Sequence, residues 1–172
     1  MFQKGELILY GRTGVCEVSD ITTPNFRGEE QGRKYYVLKP LYQNCGITTP
    51  VDNDKVFMRP ILSKQQAEKI IEDMPQISAE AYHNRNLTQL KEHYRSCLDS
   101  HECEALVGLT VSLNEKKKQA EQQKKKFGAV DERFMKEAQE LLYGELAAAL
   151  GIERQAVEAY IASKAMVKVS SL

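Results

Sequence analysis

The 172-residue sequence has no tryptophan, only three histidines, no CxxC pair and no net charge, with 24 basic and 24 acidic side chains. Each shortage excludes something. No apolar run approaches the roughly 20 residues that cross a bilayer, and the opening MFQKGELILY carries charges too early and too often for a signal peptide. A cytoplasmic location is therefore expected, with no membrane partner. Cys16, Cys45, Cys97 and Cys103 then read as reduced, mostly buried apolar residues, not as two disulfides. A balanced charge also argues against coating nucleic acid by bulk electrostatics, so any DNA contact must be local.

Catalytic constellations are equally scarce. Three histidines leave little general-base capacity near neutral pH. No HExxH, no Ser/His/Asp set in a recognisable context and no strand-end carboxylate pair occurs. The expectation is a protein that is not an enzyme, with no cofactor and no small-molecule substrate. The GRTG run at residues 11–14 lacks the Lys-Ser/Thr ending of a phosphate loop and lies between strand patterns, so it reads as a hairpin turn. His93, Cys97 and His101 follow i, i+4, i+8 spacing, which would stack three metal-ligand types on one helical face. Asp99-Ser100 resembles a helix stop, however, and no fourth ligand has a characteristic spacing, so no metal site is expected.

What is present divides in two. Residues 1–60 hold short runs rich in branched and aromatic types, ELILY, VCEVSDI, KYYVLKPL and ITTPV, separated by turn formers. The breaks fall at residues 11–14, in a polar loop at 24–32, and at 43–46, read as a tight hairpin turn. Four or five strands in so short a stretch suggest a small barrel, because closure removes exposed edges. The alternating, aromatic-rich KYYVLKPLY and GITTPV also leave an edge that could accept a partner's strand.

Beyond Pro60 the composition changes to Ala, Glu, Gln, Lys and Leu, and a helical domain over 61–172 is expected. Ser63-Lys64-Gln65-Gln66 fits a capping box opening a helix that Pro75 ends. Apolar stripes follow at Leu87, Leu90, Tyr94 and Leu98, then Leu106, Leu109 and Leu113, then Phe134, Ala138, Leu141, Leu142, Leu146 and Leu150. Gly151 reads as a C-terminal cap, and Ala156, Val157, Tyr160 and Ile161 as the face of a last helix. Between these stripes, residues 116–126 carry six lysines and one glutamate. Such a cluster can neutralise phosphates and release counterions, although a solvated helix end has the same composition.

In order, FQKGELILYGRTGVCEV, KYYVLKPL, ITTPVDN with MRPILS, and DERFMKEAQELLYGELAAALG resemble the CarD family of bacterial transcription regulators. The first 60 residues resemble the module that this family shares with transcription-repair coupling factor. The resemblance implies an α+β, two-domain chain: a small Tudor-like β-barrel followed by an all-α helical domain. It also implies partners, the RNA polymerase β subunit for the barrel and promoter DNA for the helices, with open-complex stability as the regulated quantity. By this analogy Ile47, Thr48, Thr49 and Pro50, with Pro24, Phe26 and Arg27 in the preceding loop, face polymerase. Asp52 and Asn53 are expected in turn and strand-end roles.

The DNA contacts expected are Lys116, Lys117, Lys118, Lys124, Lys125 and Lys126, with Arg85. Two departures stand out. The family's minor-groove tryptophan is missing, leaving Tyr82, beside His83, as the nearest substitute, and Pro24 and Thr48 stand where relatives often carry arginines. The rival reading is a protein adaptor that uses the barrel edge and has no DNA role.

Overall fold

The computed structural model describes residues 1–23 and 32–170. Its contacts divide the chain into two compact units, Met1–Ile61 and Leu62–Leu172.

The first unit is an antiparallel sheet of β1 (Leu7–Tyr10), β2 (Gly14–Thr22), β3 (Tyr35–Pro40), β4 (Ile47–Pro50) and β5 (Met58–Pro60), in the order β4-β3-β2-β1-β5. Ile8, Cys16, Val18, Tyr36 and Leu38 form its core. Strand alternation brings them to one face, where Ile8 pairs with Cys16 and Val18 with Leu38. The Tyr36 hydroxyl accepts the Phe2 N–H at 2.8 Å, so the one polar atom of this ring is satisfied. A register shift between Val18 and Asp20 leaves Ser19 as the extra residue, and its hydroxyl donates to the Val37 carbonyl at 2.9 Å. The GRTG run is a single 3-10 turn, Gly11–Thr13, joining β1 to β2, with Gly11 and Gly14 at positive φ.

The expected barrel is not what the hydrogen bonding draws: among the described residues the sheet is open, with β4 and β5 as unjoined edges. Proline explains how both edges end. The Ile61 N–H donates to Leu7 O and the Gly11 N–H to Phe57 O, so alternation turns the Pro60 nitrogen away from β1. The same alternation on β4 turns the Pro50 nitrogen outward, since the Val51 N–H donates to Lys34 O. A residue without an N–H costs no internal bond in those places, and it blunts an edge. The β3–β4 connection is also wider than the tight turn expected at 43–46. Pro40 ends β3 and β4 begins only at Ile47, so residues 41–46 form the link.

The second unit is all-α: α1 (Lys64–Asp73), α2 (Leu87–Asp99), α3 (Cys103–Gln122), α4 (Ala129–Leu150) and α5 (Val157–Ser170). Ser63 Oγ accepts from the Gln66 N–H at 3.2 Å while Gln66 Oε1 accepts from the Ser63 N–H at 2.8 Å, completing the capping box. Pro75 falls in the 3-10 turn Met74–Gln76 that ends α1. Asn86 caps α2 by accepting from the Thr88 and Gln89 N–H groups. One core runs through the unit, with Leu90, Tyr94, Leu98, Leu106, Leu113, Phe134, Leu142 and Leu146 among its buried members. Leu87, the first residue of its stripe, sits in the opening turn of α2 and is exposed. Gly151 closes α4 in the left-handed conformation, φ 69°.

Candidate functional site

On the sheet unit, the described candidates lie on β4. Thr49 and Ile47 make the ladder bonds to β3, and Thr48 between them turns its N–H and C=O outward. The side chains alternate correspondingly. Thr48 is exposed, Ile47 and Pro50 are half-buried, and Thr49 is 3% exposed. Thr49 Oγ1 accepts from Asn53 Nδ2 at 2.7 Å, and Asn53 Oδ1 accepts the Lys55 N–H, so Thr49 and Asn53 shape the turn after β4. The Arg33 guanidinium donates to Asp52 Oδ1 at 3.1 Å and holds that carboxyl below the usual carboxylate range. An exposed strand edge on which Thr48 turns its backbone groups outward, ahead of Pro50, is therefore the element available to a partner. Pro24, Phe26 and Arg27 lie outside the described residues.

On the helical unit, the lysine cluster falls at the C-terminal end of α3 and in the link to α4. Lys117, Lys118, Lys124, Lys125 and Lys126 are exposed. Lys124 adopts φ 52°, its N–H donates to Glu121 O and the Lys125 N–H to Ala120 O, the paired bonds of a Schellman cap. Three cations just past a helix C-terminus also complement its negative end.

Among the six lysines expected to face phosphate, Lys116 stands in a different setting. Its side chain is 12% exposed and its Nζ lies 2.8 Å from Asp131 Oδ1 on α4. The same ammonium donates to the Tyr94 hydroxyl of α2 at 3.2 Å, while that hydroxyl donates to Asp131 Oδ1 at 2.6 Å. Burial and the Asp131 carboxylate push the Tyr94 phenol above the ordinary tyrosine range. A charge so engaged ties α2, α3 and α4 together, and only the third N–H of its ammonium is left for a further acceptor. Gly128 makes room for the arrangement: a Cβ there would stand 2.8 Å from Asp131 Oδ2.

Tyr82 is half-buried, and its ring stacks on His93 with centroids 3.8 Å apart and 21° between planes. Its hydroxyl accepts from Asn84 Nδ2 at 3.2 Å. A ring held this way does not project as a wedge. Arg85 is exposed in the stretch before the α2 cap. His83 Nε2 lies 3.1 Å from Gln119 Oε1, which pins the chain before α2 to α3. The helical stack of His93 and Cys97 stops at Asp99, where α2 ends, and His101 follows at φ 56°. Among the described residues no group of three or more His, Cys, Asp and Glu could hold a metal ion, and no helix is long and apolar enough to cross a membrane.

Sequence reasoning missed Asp131 and the role of Tyr94. It also missed Glu145, an acid 1% exposed on α4 whose Oε1 accepts the Leu62 N–H at 3.1 Å. One signal for Glu145 was available, a single carboxylate inside the apolar run LLYGELAAAL.

Residues 2–62 match the model of the CarD-like/TRCF RID domain. The resemblance read from the sequence is thus shown for the sheet unit, and the helical unit lies beyond the match. No curated protein matches the chain.

Proposed function

We propose that the chain is a non-enzymatic, cytoplasmic transcription regulator whose sheet unit docks on the RNA polymerase β subunit and whose helical unit contacts promoter DNA. The observation that carries this reading is the CarD-like/TRCF RID match over residues 2–62. The β4 edge supplies a physical means of docking, because the outward N–H and C=O of Thr48 can pair with a partner strand while adjacent side chains set specificity.

The DNA role rests on the exposed lysines. Phosphate contacts position a protein without distinguishing bases, so the contact is expected to be weak, salt-sensitive and tolerant of sequence. Docking on polymerase raises the local concentration of promoter DNA, which lets a poor binder act on open-complex stability.

Capture of polymerase from the protein's own cell extract tests the reading, with the full chain as bait. Thr48→Pro is the informative variant, since the Thr48 N–H makes no bond to β3 and proline there leaves the internal ladder intact. The parent is expected to recover polymerase and the variant to lose it. Failure of the parent to recover polymerase contradicts the proposal; equal recovery by both removes the β4 edge from it.

A further inference from the structure

A cavity of about 220 Å3 opens where α3 gives way to α4, and Lys116, Lys125, Lys126, Gln123 and Asp131 are among the residues that line it. It has room for several waters, and so for a phosphate group. Its charge is one-sided. Lys125 and Lys126 are exposed and have no carboxylate partner among the described residues, and the one carboxylate in the lining, Asp131, already accepts from Lys116. The Lys116 ammonium has three N–H donors. Two are directed at Asp131 Oδ1 and the Tyr94 hydroxyl, and the third has no protein acceptor among the described residues.

The other exposed lysines stand in a different setting. Lys118 lines an adjoining cleft that it shares with Glu80 and Glu115, whose carboxylates offset its charge. Lys125 and Lys126 therefore have the stronger local field, and the Schellman turn at Lys124 redirects the chain between α3 and α4 at this place. Lys116 adds a donor already fixed by two bonds, so little side-chain freedom remains for it to lose on binding.

We propose that this cavity seats one phosphodiester group of duplex DNA, held by the exposed charges of Lys125 and Lys126 and by the remaining N–H of Lys116. The assignment deepens the DNA role proposed above and rests on it. It makes the DNA contact unequal along the lysine cluster: Lys125 and Lys126 anchor the backbone, and Lys117 and Lys118, which do not line the cavity, contribute little.

The experiment compares three full-length proteins, the parent, Lys125→Gln/Lys126→Gln and Lys117→Gln/Lys118→Gln, binding a mixed-sequence duplex over a range of salt. At roughly −0.9 per neutralised phosphate, losing a seat for one phosphodiester flattens the slope of log affinity against log salt by about 1. The first double variant is expected to show that flattening, and the second a change well under about 1. A second arm titrates inorganic phosphate at constant ionic strength and follows backbone amide resonances of residues 125–128. Saturable shifts are expected in the parent and not in Lys125→Gln/Lys126→Gln. If the duplex binds with equal slopes in parent and Lys125→Gln/Lys126→Gln, the socket is wrong while the DNA role stands. If inorganic phosphate saturates the cavity but the duplex does not bind, the ligand is a free phosphate, and both the diester assignment and the DNA role fall. If neither binds, both fall together.

Discussion

Lys116 and Asp131 meet at 2.8 Å with side chains only 12% and 9% exposed, and the Tyr94 hydroxyl completes the contact from a third helix. An ion pair this far from solvent is held in place less by its own net strength than by the cost of removing one half. Lys116→Met leaves a carboxylate buried with one phenol for company, and Asp131→Asn leaves an ammonium in the same position. Each single change is expected to destabilise the helical unit by about 3–5 kcal/mol. The double variant should cost much less than the sum, and denaturant melts of the four proteins give the coupling directly. Additive losses would mean that the pair carries no mutual stabilisation.

Alkaline pH reaches the same cluster through Tyr94. Its folded-state pKa is raised above the ordinary 10.0, chiefly by burial and then by the bond to Asp131. The unfolded chain therefore loses this proton first, so the stabilisation is complete below about pH 10 and declines as pH rises above it. Absorbance titration of the tyrosines should show a late component, to which Tyr143, raised by burial and Glu158, also contributes. Tyr94→Phe is expected to shrink that component. An unchanged late amplitude in Tyr94→Phe contradicts the assignment.

Two helix ends give opposite substitutions. Lys124 holds φ 52° and Gly151 φ 69°, both in the left-handed region where a side chain is disfavoured by about 1 kcal/mol. Lys124→Gly is expected to stabilise the helical unit by up to about 1 kcal/mol. Gly151→Ala should destabilise it by a similar amount, although a Cβ there meets nothing within 4 Å. Thermal melts that move both variants in the same direction would contradict the cap geometry.

Thiol labelling reports on both units. Cys45 is exposed, Cys16 and Cys103 are buried, and Cys97 is in between. Burial pushes the Cys16 thiol up to about 11 and raises that of Cys97, which lowers their thiolate fractions at neutral pH. A disulfide reagent is expected to modify Cys45 first, Cys97 slowly, and Cys16 and Cys103 only with unfolding. Rapid modification of Cys16 in the native protein would overturn its place in the sheet core.

The contrast between Ser63 and Lys116 shows how far the sequence could be read. The Ser63 capping box occupies four consecutive residues, so its hydrogen bonds follow from local spacing alone. The same holds for Gly151 and for the buried stripe through Leu106, Leu109 and Leu113. Lys116 is indistinguishable in sequence from Lys117 and Lys118, and its partners lie 22 and 15 residues away on other helices. Only the helix crossings decide which lysine is buried. Barrel closure was illegible for a similar reason, since it depends on whether β4 meets β5, which the described residues do not show, and strand pattern fixes the strands without fixing that pairing.

In the proposed function, sheet and helices act together on transcription initiation, one holding polymerase and the other DNA. Its most direct test is the lifetime of open complexes formed by the purified cognate RNA polymerase at a promoter, measured with saturating parent protein, Thr48→Pro, or a variant with Lys117, Lys118, Lys124, Lys125 and Lys126 changed to glutamine. The parent is predicted to change the lifetime and both variants to lose the effect, the lysine variant while still binding polymerase. A lifetime that the parent leaves unchanged, or that the lysine variant changes as fully as the parent, would contradict it.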